Sequence, residues 1–313
     1  MPILHSISYS GSWGQQFLTV EEFIDKAADL GFDGVMLAAK RPHLSVLDWP
    51  AESRRRLRER IERRRLSTIC IAGYTNFTAD LEHADIPNAE LQIRHVIEMA
   101  EMAHDLGGSL VRVFTAYENP AASYAAQWNL VVKSLREAAR RSADYGVTVA
   151  VQNHHDIAVD YESQYELIRE VGEPNCRAVF DAWAPALQGV DIIAAAKKMG
   201  SIAVQTIIAN YQLRPRYRYA PALVNYERLI PTVQAVPVDE GFIDYRAFLS
   251  ALREGGFDGV IAYEMCSPLR GGGSMENLDA YARRFLKWLT GTAADASSQL
   301  TSAIHRPHPA ATS

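Results

Sequence analysis

Short apolar segments alternate with amphipathic segments along most of the chain, and this alternation constrains the possible folds more than any other feature of the sequence. Eight segments carry mainly apolar and β-branched residues over four to six positions, which is typical of strands buried on both faces of a sheet. They lie at residues 3–8, 34–37, 67–71, 110–114, 147–152, 178–181, 203–208 and 260–264.

Between these segments lie eight amphipathic segments with the period of a helix. They cover about residues 19–30, 50–65, 88–106, 122–145, 161–171, 189–199, 244–255 and 275–290. Several of their ends carry recognisable signals. Thr19 and Glu22 have the spacing of a capping box, in which two side chains satisfy free backbone N–H groups. Gly31 and Gly256 stand just past predicted helix ends, where a left-handed residue is needed.

The regular succession of strand and helix predicts an α/β protein with a parallel sheet inside and helices outside. Eight strands favour a single closed (β/α)8 TIM barrel over an open sheet. An open dinucleotide-binding sheet usually shows a Gly-x-Gly-x-x-Gly turn after its first strand, and residues 8–14 contain glycines without that spacing. We therefore predict one barrel domain over residues 1–290. Residues 291–313 are predicted to form a flexible tail, and residues 210–240 a long connection of the kind that serves as a lid or binding loop.

The composition narrows the classes of function. The net charge is −5, so the chain has no overall basic field of the kind that nucleic-acid binding requires. The three cysteines are far apart and form no Cys-x-x-Cys pair, which fits a reducing compartment. The N-terminal residues show no basic start or apolar signal core, and no apolar run is long enough to cross a bilayer. We expect a cytoplasmic protein that binds neither nucleic acid nor membrane.

Polar side chains end four of the predicted strands, at the face where TIM barrels carry their active sites. Strand five runs into Gln152 and His154, and strand six ends at Asp181. Strand seven carries Gln205, and strand eight ends at Glu264. Side chains alternate along a strand, so if Gln152 points into the barrel His154 does too, and the valines of strand five point outward.

Four oxygen-bearing side chains on neighbouring strands predict a site for one hard divalent ion. Carboxylate and carboxamide oxygens favour Mg²⁺ or Mn²⁺ over zinc. The predicted ligands are Gln152, Asp181, Gln205 and Glu264. The alternative is that the two acids pair with Arg or Lys in a network of ion pairs at the top of the barrel.

Four segments give the chain a resemblance to a known family, the xylose-isomerase-like barrels of sugar phosphate isomerases and epimerases. The segments are residues 27–34 (AADLGFDG), 149–154 (VAVQNH), 179–181 (VFD) and 262–264 (AYE), and the likeness covers about residues 1–290. The resemblance implies one divalent ion, Mn²⁺ or Mg²⁺ with Co²⁺ as a further possibility. It assigns the ion to the same four residues of strands five to eight, with strand seven in an ambiguous register.

The chain departs from the family pattern in two places. The family usually has a glutamate acid/base where Gln152 stands, and often a histidine where Ala184 stands. Since a carboxamide cannot take up a proton in catalysis, proton transfer falls to Glu264 alone or to a histidine. His154 is the predicted base because of strand parity, with His155 behind it as base or metal ligand, and histidine titrates near neutral pH. The alternative for each is a loop histidine bonded to the backbone.

Several further residues are predicted to bind substrate. Lys40, Arg41 and His43 follow the second strand at the top of the barrel, where a solvated loop is the alternative. Trp183 is placed to stack on a sugar face, with core packing as the alternative. Arg216 lies in an Arg- and Tyr-rich stretch that clamps an anion or, alternatively, forms a subunit contact.

These residues predict a metal-assisted enzyme that removes the proton alpha to the carbonyl of a sugar or keto-sugar, as an isomerase or epimerase. Elimination shares the same first half-reaction. A β-eliminating lyase on 3-oxo-glycosides, similar to the large subunit of a C-glycoside deglycosidase, is therefore an alternative, as is an inosose-type dehydratase. A lesser alternative is a non-catalytic sugar-binding barrel. A DNA-repair endonuclease shares this barrel, but its histidine set and basic surface are missing here. We expect a homo-oligomer, or a small β-rich partner if the lyase hypothesis holds.

Overall fold

Eight parallel strands close into a barrel in this protein, which confirms the predicted (β/α)8 fold. The computed structural model describes residues 1–81 and 85–304, with side chains described as far as residue 291. The strands are β1 (Pro2–His5), β2 (Gly34–Ala38), β3 (Thr68–Ala72), β4 (Leu110–Val113), β5 (Thr148–Gln152), β6 (Cys176–Val179), β7 (Ala203–Ile208), β8 (Asn210–Ala220), β9 (Asn225–Val236) and β10 (Val260–Tyr263). The barrel order is β1-β2-β3-β4-β5-β6-β7-β10, with β10 pairing back to β1.

Helices follow the barrel strands and cover the outside of the sheet. They are α1 (Val20–Leu30), α2 (Ala51–Arg63), α3 (Asn88–Asp105), α4 (Tyr124–Ser142), α5 (Tyr161–Val171), α6 (Trp183–Gln188), α7 (Ile192–Met199), α8 (Tyr245–Glu254) and α9 (Met275–Ile304). None of the helices in the described part of the chain has the length and apolar character that a membrane crossing requires.

The signals at the ends of α1 act as predicted. The Thr19 side chain accepts from the Glu22 backbone N–H while the Glu22 carboxylate accepts from the Thr19 backbone, which completes the capping box. Gly31 ends the helix in the left-handed region, with φ 94°. Local sequence is thus sufficient to set both ends of this helix.

Alternation along the strands divides the core in two. Val149 and Val151 face the helices, while Ala150 and Gln152 face the barrel interior, as the parity of strand five predicts. The apolar lining of the interior consists of Ile3, Met36, Cys70, Ala72, Leu110, Ala150, Val179, Ile207 and Ala262. These residues close the barrel below its C-terminal end, so that the polar residues at the strand ends stand on an apolar floor.

The region 210–240 differs from the predicted long connection. Most of it forms an antiparallel β-hairpin, here named the arm, which consists of β8 and β9 and extends from the C-terminal end of the barrel. Asn210 fixes the base of the arm, because its amide donates to the carbonyls of Val238 and Ile243. A Cβ atom at Gly241 would lie 1.9 Å from the Asn210 carboxamide oxygen, so only glycine fits there.

The last helix passes the predicted end of the barrel at residue 290. α9 runs from Met275 to Ile304, so the first part of the predicted tail is helical. The remainder of that predicted tail, residues 305–313, lies outside the described residues.

Candidate active site

Two adjoining cavities open at the C-terminal ends of the barrel strands. The larger has a volume of about 490 Å³ and lies over β1 to β5, and the smaller, of about 170 Å³, lies beside β6, β7 and β10. Both are lined by Gln152, His154, Glu264 and Cys266. The site predicted from the polar strand ends therefore has a concave space beside it.

Asp181 is held in a fixed position at the end of β6. Its backbone N–H donates to the Asn153 carboxamide oxygen at 2.9 Å, and its carbonyl accepts from the Asn153 amide at 3.0 Å. Its carboxylate accepts from the Gln152 Nε2 at 2.6 Å and from the Trp183 backbone N–H at 3.1 Å. Gln152 and Asp181 are thus in direct contact across neighbouring strands.

The Asp181 carboxyl group is hard to ionise. Burial raises its pKa to about 7, and repulsion from Glu264 acts in the same direction, although the hydrogen bond from Gln152 opposes both. Burial also raises the pKa of Glu264. The smaller cavity therefore contains two carboxyl groups whose negative charges are poorly compensated by the protein around them.

Glu264 follows β10, and one of its carboxylate oxygens accepts a hydrogen bond while the other lies near a histidine. The Cys266 thiol donates to Oε1 at 3.0 Å, and the Tyr211 hydroxyl lies 2.9 Å from the same sulfur. The His5 Nε2 lies 3.8 Å from Oε2, and the His5 Nδ1 accepts from the Ile7 backbone N–H. Burial lowers the pKa of His5 well below its ordinary value, so this imidazole is neutral, with its proton on Nε2 because Nδ1 is an acceptor.

The donor set fits a hard divalent ion in its ligand chemistry. Gln152, Asp181 and Glu264 line the same cavity, and the buried carboxamide oxygen of Gln152 has no hydrogen-bond partner in the described part of the chain. A buried polar oxygen without a partner is costly, and a cation beside two carboxylates would satisfy all three groups. Within the described residues no three His, Cys, Asp or Glu side chains are grouped closely enough to form a metal site, so this donor set depends on the carboxamide.

Gln205 lies outside this donor set, and its prediction as a metal ligand is corrected. In the pairing of β7 with β10, Gln205 lies opposite Val260, the first residue of β10. Glu264 comes after Tyr263, the last residue of β10, so it lies higher in the barrel than Gln205. The Gln205 carboxamide lies in the barrel interior, where its oxygen accepts from the Cys70 thiol at 3.4 Å. The residues of this segment that reach the cavity are the apolar Ile207 of β7 and Ala209, which follows it, because the strand continues beyond Gln205 to the top of the barrel.

His154 lines both cavities, and His155 lines the larger one. Both imidazoles contact the Phe114 ring, and His155 stacks on Tyr117. The His154 Nδ1 accepts from the His155 backbone N–H at 2.8 Å and lies 2.8 Å from the His155 Nδ1. Burial lowers the pKa of His154 to about 4, with the charges of His155 and Arg112 adding to the effect. The neutral His154 therefore carries its proton on Nε2.

Two of the five predicted substrate-binding residues line the site. Lys40 borders the larger cavity, and Trp183 borders the smaller one, where it contacts the Tyr211 ring. The substrate-binding role of these two side chains stays a prediction.

The other three predicted substrate-binding residues lie away from both cavities, and these predictions are corrected. Arg41 is exposed and forms a two-point ion pair with Asp48. His43 is buried beneath the loop, where its Nε2 lies 3.2 Å from the Leu18 carbonyl. Arg216 is exposed on the arm. The loop after β2 turns His43 inward and Arg41 outward, a direction that residue type alone does not determine.

Four residues of the site were not predicted from the sequence. His5 and Cys266 contact Glu264, and Arg112 and Tyr74 line the larger cavity. His5 is the last residue of β1, so the rule that polar strand ends mark the site would have found it. Arg112 stands inside β4 between apolar neighbours, and its inward parity with Leu110 was the available signal.

Comparisons with known proteins agree with this architecture. The model of one protein family, described as xylose isomerase-like TIM barrel, matches residues 24–291. A search among curated proteins found no significant match.

Solved structures with the same fold cover nearly the whole chain. An L-ribulose 3-epimerase is 19% identical with a TM-score of 0.72, and the match covers 98% of this chain and 99% of that one. The probable 3-DHS dehydratase AsbF of Bacillus anthracis, involved in petrobactin synthesis, is 17% identical with a TM-score of 0.69, covering 93% and 99%. A D-psicose 3-epimerase, solved in the presence of D-fructose, is 15% identical with a TM-score of 0.71, covering 92% and 96%. At these identities the likeness is one of fold.

Proposed function

The chain belongs to the xylose isomerase-like TIM barrel family, and from this premise we propose that it is a sugar isomerase or epimerase. The reaction begins with removal of the proton alpha to the carbonyl of a sugar or keto-sugar, and return of the proton gives the product. The observation that carries this proposal is the group of Gln152, Asp181 and Glu264 at the top of the barrel, where two buried carboxyl groups and an unpartnered carboxamide oxygen line one cavity. Two structural neighbours that are sugar 3-epimerases support it.

Gln152, Asp181 and Glu264 are the residues that would hold a divalent ion, with Mn²⁺ or Mg²⁺ favoured by their oxygen atoms and Co²⁺ as an alternative. When bound, such an ion supplies polarisation of the substrate carbonyl and charge compensation for the oxygen next to it. The ion would also supply a positive charge next to the carboxylates of Asp181 and Glu264, which the described side chains around them do not provide at close range.

Glu264 is the base that we propose for proton removal. Its carboxylate borders both cavities, so it can reach a substrate that occupies either of them. The Cys266 thiol holds one carboxylate oxygen in position by a hydrogen bond, and the His5 imidazole lies near the other.

His154 acts in this proposal as a hydrogen-bond donor. Because Nδ1 is engaged by His155, the free group of the neutral ring is Nε2–H, which stabilises negative charge developing on a substrate oxygen. His155 sets the tautomer of His154 through its backbone N–H, and it is therefore a positioning residue.

Elimination is the second candidate, and Gln152 is the observation that favours it. An epimerase that works with two acid/base groups needs a second proton carrier opposite the first, and a carboxamide cannot serve. A lyase on 3-oxo-glycosides, or an inosose-type dehydratase, needs one base and then expels a β-substituent. A barrel that binds sugar without catalysis is the remaining alternative.

Proton exchange in D₂O tests the proposal and separates these candidates. Ketoses, 3-oxo-glucose and 3-oxo-glycosides are incubated with Mn²⁺-loaded protein, and after chelation of the paramagnetic ion the alpha position is followed by NMR. Deuterium at that carbon with an epimeric product supports the isomerase, and release of an aglycone selects the lyase. Absence of deuterium exchange with every substrate, both with Mn²⁺ bound and after its removal by a chelator, would overturn the enzymatic proposal.

A further inference from the structure

The guanidinium of Arg112 is a buried positive charge, and no carboxylate among the described residues lies within 4.0 Å of it. Arg112 is only 2% exposed and lines the larger cavity. Its Nη1 donates to the Gly73 carbonyl at 2.8 Å, and its buried Nε has no hydrogen-bond partner among the residues that the structure describes. Among the ion pairs of the described residues, none within 4.0 Å involves Arg112, whereas most arginines on the surface of this barrel have such a partner.

A buried charge is normally paired, because removal from water costs several kcal/mol that only an opposite charge or good hydrogen bonds offset. Arg112 is partly compensated by aromatic rings: its guanidinium carbon lies 4.1 Å from the centre of the Phe114 ring and 5.1 Å from that of Tyr74. These contacts leave its net charge in place and orient it on the wall of the cavity.

A second cation borders the same space. The Lys40 Nζ lies 4.0 Å from the centre of the Tyr74 ring, so Tyr74 contacts both cations. Burial and the charge of Arg112 lower the pKa of Lys40, which indicates that the two positive charges act on each other. An anion between them would remove this repulsion.

An alternative explanation for the buried charge of Arg112 is that it neutralises the carboxylate of Glu264. The two groups do act on each other, since the charge of Arg112 opposes the rise in the pKa of Glu264. However, the close partners of the Glu264 carboxylate are Cys266 and His5. A bidentate pair, which is the arrangement that guanidinium and carboxylate groups prefer, is not formed.

We propose that the substrate carries an anionic group, a carboxylate or a phosphate, and that Arg112 and Lys40 bind it in the larger cavity. This inference rests on the proposed function, because it places the reacting carbons of the same molecule beside Glu264, which borders both cavities. A volume of about 490 Å³ accommodates a small sugar acid or sugar phosphate, within the range usual for small-molecule sites. Arg112 supplies planar two-point recognition and Lys40 a mobile point charge.

Binding of non-reactive polyols to the Mn²⁺-loaded protein tests this site by calorimetry. Glucitol, gluconate and the phosphate monoester of glucitol share a polyol chain and differ in the charged group. We expect one of the two anions to bind about tenfold or more tightly than glucitol, and the anion that does so identifies the group. Equal affinity for all three compounds would overturn the proposal.

Variants separate the subsite from general effects on folding. Arg112→Gln should remove the preference for the anion, and Lys40→Gln, at a less buried position, should reduce it while the thermal unfolding midpoint stays close to that of the parent. Arg216→Gln removes an exposed positive charge outside both cavities and should leave the preference unchanged. Retention of the full anion preference in both Arg112→Gln and Lys40→Gln would contradict the assignment.

The failure of this inference can be distinguished from failure of the proposed function. Selective binding of the anionic polyol without deuterium exchange in any anionic or neutral sugar would leave the subsite standing and remove the isomerase. Deuterium exchange together with equal binding affinity for neutral and anionic ligands would support the isomerase and overturn the anion subsite.

Discussion

Asp181 and Gln152 show how single residues set the chemistry of this site. The Gln152 amide nitrogen donates a short hydrogen bond to Asp181, but the carboxamide oxygen of Gln152 is buried and has no partner among the described residues. A glutamate at position 152 would place a third negative charge beside Asp181 and Glu264. The carboxamide avoids that repulsion, and in exchange it cannot take up a proton.

The first prediction concerns the pH dependence of stability in the metal-free protein. The pKa of Asp181 is raised from its ordinary value of 3.8 to about 7, so between these pH values the folded state holds a proton that the unfolded state has released. Stability should therefore fall as pH rises from about 4 to about 7, by up to about 4 kcal/mol from this group. Asp181→Asn should remove most of this fall, measured by urea unfolding in EDTA at several pH values.

Asn153→Ala is a useful comparison for that measurement. It removes the two hydrogen bonds to the Asp181 backbone and should lower stability at every pH without removing the pH dependence. A pH profile for Asp181→Asn that matched the parent would show that another group carries the effect.

The second prediction separates the roles of Glu264 and His154. Glu264→Gln should lower the rate of deuterium exchange by about 10²–10⁴-fold, the range typical of a lost general base. His154→Ala should lower it by about 10²-fold through loss of a hydrogen-bond donor. His154→Gln, whose amide also donates, should recover part of the rate, which a lost base would not allow. Full exchange by His154→Ala would remove His154 from the mechanism.

At the level of elements, the arm is the main addition to the barrel. Leu213, Tyr217 and Tyr219 lie on one face of β8, and the Tyr219 and Tyr226 rings meet across the two strands. Arg218 pairs with Glu227 on the opposite face. Beyond its base the arm is exposed on both faces, so its apolar face is solvated in the isolated chain.

The third prediction is that this apolar face binds a second copy of the chain. Residues 210–236 contain four arginines and one glutamate, which gives the arm a net charge of +3. Since the whole chain has a net charge of −5, the residues outside the arm have a net charge of −8. The barrel of one copy therefore attracts the arm of another. Light scattering should give an oligomeric mass for the parent, and simultaneous change of Tyr217, Tyr219 and Tyr226 to Ser should lower it. Arg218→Gln, on the other face, is the control. A monomeric parent, or a triple variant of unchanged mass, would contradict this prediction.

For the whole molecule, the fourth prediction links metal binding to folding. An ion that binds only the folded state at a hundred times its dissociation constant adds about 2.7 kcal/mol to stability. Mn²⁺ should therefore raise the thermal unfolding midpoint by several degrees at pH 7.5, and by less at pH 5, because Asp181 and Glu264 must lose their protons to bind it. Glu264→Gln should abolish most of the shift, and an equal shift in that variant would place the ion elsewhere.

The sequence by itself determined the barrel and the strand ends on which the site stands. The period of the apolar residues and the capping signals around α1 are local properties, and eight repeats of strand and helix have few ways to bury their apolar faces. Side-chain alternation on β5 followed from the chain geometry alone, so the inward direction of Gln152 could be predicted.

The tertiary structure alone decided the height of each residue in the barrel and the partners it meets. Gln205 has the inward parity of a ligand but lies below the site, because the register of β7 against β10 depends on pairing between distant segments. Arg112 resembles an ordinary strand residue until closure of the barrel brings Tyr74 and Phe114 against it. Register and closure are non-local, and a local pattern contains no information about them.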